Sequence, residues 1–179
     1  MTSTQTRSDT ERRALARWAA ACAARVRPLY AADGEHEEQI RDALARALAY
    51  GHGHGESTAA VEIRKRMVAV KAASAATTPA GAAAARAVAQ AAAVAHLGAH
   101  ALGAAAYAVK AVSLAEPADP QAISGEISWQ VEALDDEQRT ALRRLPALGA
   151  EPTGPLGPGL LSRGILGEVI RRIQAEVGG

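Results

Sequence analysis

Apolar residues recur along this chain at intervals of three and four, the spacing that lines one face of an α-helix. Leu15, Trp18, Cys22, Val26 and Leu29 share a narrow face, with Arg13, Arg17 and Arg27 on the other. Ser8 and Glu11 stand at capping-box spacing ahead of them, so the first helix is predicted to start near Ser8. Pro28 should kink or end it. After a turn at Asp33-Gly34, a second helix is predicted from Glu35 to Tyr50. It buries Ile40, Ala43, Leu44, Ala47 and Leu48, and Glu35, Glu37 and Glu38 crowd the end where the helix dipole favours anions. Gly51-His52-Gly53-His54-Gly55 is too glycine-rich for helix and reads as loop.

A third helix is predicted from Ser57 or Thr58 to about Ala76, its apolar residues split between Val61 and Val68 on one side and Ile63, Met67 and Val70 on another. Thr78-Pro79 then gives a cap followed by a first-turn proline. From there a single long Ala/Gly-rich helix is expected to run to about Leu114 and to sit at the centre of the fold, because small side chains let neighbouring helices come close. Asp119-Pro120 repeats the cap-proline pattern before a helix lined by Ile123, Ile127, Val131 and Leu134, with Trp129 off that stripe. Asp135 and Gln138 open a short helix that ends before Pro146. The last segment carries the most aliphatic stripe of the chain: Ile165, Leu166, Val169, Ile170, Ile173 and Val177.

The fold class expected from this pattern is all-α: a single compact helical bundle of about six helices around the long central one. Residues 1–145 are assigned to the bundle and 146–159 to a Pro/Gly-rich arm. Residues 160–179 form an amphipathic helix that packs on the bundle or on a second subunit, which leaves a homodimer through this helix open.

Composition narrows this further. A chain of 179 residues is one domain by length, large enough to bury a core without disulfides or structural metals. Hydrophobic residues make up 49%, about half of them alanine, while Phe is absent and aromatics are only 3%. That balance disfavours β-architectures. Lys+Arg 20 against Asp+Glu 19 leaves a net charge of +1, which argues against a nucleic-acid partner and against an acidic DNA mimic. Cys22 stands alone, so no internal disulfide or CxxC motif exists. The polar segment Met1 to Arg13 has no signal-peptide pattern, and no stretch is apolar enough for a membrane span. A cytoplasmic protein is expected, with the free thiol suited to a reducing compartment.

Few residues suggest chemistry. On one continuous helix His96, His100 and Tyr107 would project within about 40° of one another, with Gly103 on the same side. Two histidines at i, i+4 can chelate a metal ion, yet two ligands do not complete a zinc shell. The HExxH general base is also missing, since Leu97 follows His96. Hydrogen bonding across a helix interface explains the same residues. His52 and His54 could bring further ligands towards that stripe, though an exposed loop is the simpler reading. No phosphate-binding glycine motif occurs. Cys22 is expected to be buried as a small apolar side chain. Arg64-Lys65-Arg66 spread around their helix as a solvated face. The acidic triplets at 35–38 and 135–137 look like helix-terminus charges, without a partner that would tune them for acid–base work.

Two segments resemble the Imm-5-like family of proposed bacterial immunity proteins, found in actinobacteria and other bacteria. One is Trp18-Ala-Ala-Ala-Cys22-Ala-Ala-Arg25-Val26-Arg27-Pro28-Leu29-Tyr30, where a Trp, a Cys and an Arg-Val-x-Pro-Leu-aromatic run recur at this spacing. The other is the His-containing stretch Ala95 to Val112. The resemblance spans roughly residues 14 to 134. It implies an all-helical protein that neutralises a toxin of a polymorphic toxin system, and it brings no catalytic residues with it. Near-neutral charge then points to recognition by shape and apolar contact.

The expected function is therefore a non-enzymatic binding protein that occludes a protein toxin, with no cofactor. Trp129 is the candidate partner-binding residue, because exposed tryptophans anchor interfaces. The alternative is a small-molecule- or metal-binding protein or enzyme. It would use His96, His100 and Tyr107 in an inter-helix pocket, with His96 and His100 as metal ligands.

Overall fold

The computed structural model describes residues 3–54 and 67–178. Within them the chain is all-helical, with no strand. Helix α1 (Asp9–Val26) starts on a capping box in which the Ser8 side chain accepts from the Glu11 N–H and Glu11 reaches back. It passes into a 3-10 turn, Arg27–Leu29, with Pro28 at its start. Asp33 caps α2 (Gly34–Gly51) by accepting from the His36 N–H. This helix includes Gly51, which was expected to be loop. Its bare α-carbon lies against α1, where a Cβ would come 3.0 Å from the Arg17 backbone nitrogen. Helix α3 occupies 67–73. The earlier part of the expected third helix, with Val61, Ile63 and the Arg64-Lys65-Arg66 run, lies outside the described residues, as does Gly55.

Thr78 and Pro79 open α4 as expected, the Thr78 hydroxyl accepting from the Gly81 N–H at 3.0 Å. The single helix expected from Pro79 to Leu114 is instead two, α4 (Pro79–Ala93) and α5 (His100–Ala115), packed along one another. A continuous rod over 79–114 would be about 54 Å long, whereas a domain of this size is only about 40 Å across. The break is made by the N-terminal segment. The backbone N–H groups of Gly98 and Ala99 donate to the carbonyls of Thr6 and Gln5, each at 3.1 Å, so the donors freed at the break find acceptors. Glycine at 98 permits this approach, since a Cβ there would meet Arg7 Cγ at 3.0 Å.

Helix α6 (Ala122–Glu132) begins after Asp119, whose carboxylate accepts from the Gln121 N–H at 2.8 Å. The stripe expected to line it is only partly inward: Ile127 and Leu134 are buried, and Ile123 is exposed. Helix α7 (Asp136–Arg143) opens on the Asp135–Gln138 capping box. Residues 144–163 are mostly irregular but packed: Leu156 is fully buried, and Gln5 holds the segment by donating to the Thr153 carbonyl (2.7 Å) and accepting from the Leu156 N–H (3.0 Å). A second 3-10 turn, Leu160–Ser162, leads into α8 (Gly164–Gly178), which buries Leu166, Val169, Ile170, Ile173 and Val177 against α5, α6 and α7 of its own chain. No helix among the described residues is long and apolar enough to cross a membrane.

Candidate functional site

The break between α4 and α5 separates the three residues expected to form one stripe. His100 begins α5 and is buried, its Nδ1 2.7 Å from Oε1 of Gln90 on α4. His96 lies in the connecting turn and is exposed. The two imidazoles still border one cleft of about 440 Å³, shared with Gln90, Pro155 and Leu160. Tyr107 lies two turns further along α5, buried and not among the residues of that cleft. Burial raises its phenol pKa, against a smaller opposing effect of Arg86. Gly103 makes the His100 arrangement possible, because a Cβ there would meet Gln90 Oε1 at 2.5 Å.

His52 and His54 stack on each other after α2, ring centroids 6.3 Å apart. Among the described residues no group of three or more His, Cys, Asp or Glu is placed to hold a metal ion. Among the described residues, the histidine pair on the cleft wall therefore has no third such ligand to close a metal shell.

A second constellation surrounds α1 and α6. Trp18 is buried and its indole N–H donates to the Gln130 carbonyl at 2.8 Å. The Gln130 side chain donates to the Ala105 carbonyl at 3.2 Å and to Glu126 at 3.3 Å. Glu126 is 5% exposed, a carboxylate taken out of water, and Arg25 reaches it from α1 at 3.0 Å. The Arg25 guanidinium also lies over the Trp129 ring, 4.0 Å from its centre, where the ring's negative face attracts a cation. Trp129 is thus half-buried, with Arg25 stacked on it. Cys22 is fully buried, and burial, with the Glu126 charge adding to it, pushes its thiol pKa well up. Such a thiol is a packing residue, not a nucleophile.

The Trp18–Tyr30 motif therefore works as a clasp. Trp18 and Arg25 hold α6, Pro28 ends α1, and the Tyr30 hydroxyl donates to the Ala72 carbonyl of α3 at 2.9 Å. The sequence points to Trp18 and Arg25. It does not point to Glu126 and Gln130, which look like solvent-facing polar residues; their only signal is i, i+4 spacing on one helix.

Between the ends of α1, α5 and α6 lies a cleft of about 500 Å³, bordered by Arg25, Leu29, Val112, Ala122, Gly125 and Glu126, with Glu116 and Asp119 on its edge. The chain is an all-helical domain with clefts at its surface. The family described as "Imm-5 like putative immunity protein" matches residues 5–137 of the 179, and the chain belongs to it. The match starts earlier than the resemblance at residue 14 suggests and takes in Gln5, which holds both the α4–α5 break and the segment at 153–156. No curated protein and no solved structure gives a significant match.

Proposed function

We propose that this protein neutralises a toxin in the cytoplasm by binding it and covering its working surface, without catalysis. The observation that carries this reading is the family match over residues 5–137, which gives an immunity role in general terms. The mode of action is supported by the site: a core filled mainly by alanine and aliphatic side chains, a buried inert thiol, and a clasp whose polar groups face one another. Binding by a rigid, preformed surface loses little ordering entropy on association. Trp129 with its stacked Arg25 belongs to the proposed partner-facing side, both being residue types that dominate interface energetics. The reading needs no second copy of the chain, and α8 buries its own stripe.

The test is to look beside this gene for an encoded toxin domain and to co-express the two. Growth should be rescued, and the two proteins should co-elute as a stoichiometric complex. Toxicity that persists at equal expression, with no complex on size exclusion, would overturn the proposal.

A further inference from the structure

Toxin neutralisation leaves the docking surface unassigned, and one end of the bundle carries features that internal packing does not explain. Of the glycines inside helices among the described residues, Gly81, Gly103 and Gly167 each sit where a Cβ would strike a neighbour: the Leu29 carbonyl oxygen at 2.9 Å, Gln90 Oε1 at 2.5 Å and the Ser162 carbonyl oxygen. Gly125 in the middle of α6, like the glycines at the ends of α2 and α8 (Gly34, Gly164 and Gly178), has nothing within 4 Å of where its Cβ would lie. Glycine is the poorest helix former after proline, so the fold alone is better served by alanine here. Gly125 is exposed and lines the 500 Å³ cleft between α1, α5 and α6, so the missing side chain leaves that stretch of lining bare.

Charge supplies an independent observation. Arg25 on the cleft wall is neutralised by Glu126 at 3.0 Å. Glu116 and Asp119 on the edge are exposed, and no Lys, Arg or His among the described residues lies within 4.0 Å of either carboxylate. Next to the lining residues Ala115 and Ala122 in the chain stand Leu114 and Ile123, two of the few large apolar side chains left exposed. Every residue lining this cleft falls inside the family match at 5–137. The apolar cavity of about 320 Å³ beside α8 and the His96–His100 cleft both draw on residues beyond it.

We infer that the cleft over Gly125 is where the toxin docks, and that it receives a toxin segment carrying an apolar side chain flanked by lysine or arginine. The apolar side chain lies on Gly125 between Leu29, Val112 and Ala122, and the basic neighbour faces Glu116 and Asp119. Complementary charge at an exposed rim speeds encounter and fixes register, while the buried apolar anchor sets the lifetime of the complex. This rests on the toxin-neutralising reading, and the experiment separates the two.

Purified full-length protein is titrated calorimetrically with an inactivated form of the toxin domain that the co-expression test identifies. Gly125→Phe adds a ring to the cleft lining from a Cβ position that meets no neighbour within 4 Å. It should leave the melting temperature unchanged or raised, and weaken binding by about thirtyfold or more, as expected when an interface's central contact is lost. Glu116→Lys combined with Asp119→Asn, which keeps the acceptor for the Gln121 N–H, should slow association about tenfold and flatten its salt dependence. Arg172→Ala on α8 should change neither. If wild-type protein binds and both cleft variants bind equally well, the docking site is wrong and neutralisation stands. If wild-type protein neither binds nor protects, both fall.

Discussion

Where α4 meets α5 the buried side chains are mostly methyl groups, among them Ala83, Ala84, Ala87, Ala91, Ala101, Ala104 and Ala108. Where α8 meets its neighbours they are Leu166, Val169, Ile170, Ile173 and Val177. Both interfaces exclude water, by different means. The alanine interface brings backbones to the short end of the interhelical range and spreads its attraction over many small contacts. The aliphatic one removes more apolar area per residue and concentrates its stabilisation in a few side chains. The first should therefore be sensitive to added volume and the second to deleted volume.

The largest effect is expected at α8. Ile173 is fully buried and borders the cavity beside Leu142 and Leu145, so Ile173→Ala should destabilise by about 3–4 kcal/mol through lost transfer energy and a poorly collapsing void. Urea unfolding followed by circular dichroism measures it, and a loss below about 1 kcal/mol would mean that α8 adds little to the common core. On the other side of the comparison, Ala84 is fully buried in α4. Ala84→Leu should cost about 1–3 kcal/mol by overpacking, although it adds hydrophobic surface and keeps a good helix former. A neutral result would show that α4 has room to move away from its neighbours.

Glu11 lies outside both interfaces and ties α1 to the segment after α7, a link that acid tests. It accepts from Arg7 at 2.8 Å and from Arg144, just past α7, at 3.0 Å, and it closes the capping box on α1. Burial acts to raise its pKa, but the hydrogen bonds from Arg7, the Ser8 N–H and Arg144 outweigh it and hold the carboxyl at about 2. A depressed folded-state value gives stability that is present above the unfolded pKa near 4.5 and lost as the pH falls towards 2. Screening at this rim limits the effect to about 1–2 kcal/mol. Glu11→Gln should remove most of that slope between pH 5 and pH 2 (about the span of the shift), and an unchanged slope would place the acid sensitivity elsewhere.

The same contrast shows which parts of the molecule are written locally. Ser8 with Glu11, Thr78 with Pro79 and Asp135 with Gln138 announce helix starts because each cap reaches only three residues along its own chain. The α8 stripe is equally legible, since large aliphatics at helical spacing leave one choice of inward face. The alanine stretch is not: every face of such a helix is equally apolar, so periodicity has nothing to mark. Its break at 94–99 depends on carbonyls offered by Gln5 and Thr6. For the candidate site, the chain pattern foretells the buried Cys22, while its stripe through His96, His100 and Tyr107 assumes one helix where there are two. The pattern misses the loss of Tyr107 from the His96–His100 cleft and the burial of Glu126, both consequences of where distant helices land.

The smallest effect refines the rule at one position. Adding a methyl at Gly103 is an addition to the crowded alanine interface, so by analogy with Ala84→Leu it should be harmful. The obstacle, however, is Gln90 Oε1 at 2.5 Å and Leu161 Cδ1 at 3.1 Å, both ends of flexible side chains. Gln90 can swing away at the cost of its hydrogen bond to His100, worth about 1 kcal/mol. Replacing glycine in a helix interior returns about the same amount. Gly103→Ala should therefore change stability by less than about 0.5 kcal/mol, while the His100 imidazole resonances and the Gln90 side-chain amide shift in the NMR spectrum. A loss above about 2 kcal/mol, in the range of a core overpacking cost, would mean that Gly103 accommodates the α4 backbone and not a movable side chain. Tolerance in the alanine interface is then set by what stands opposite each small residue, and Gly103, facing movable side-chain ends, should yield where the fully buried Ala84 does not.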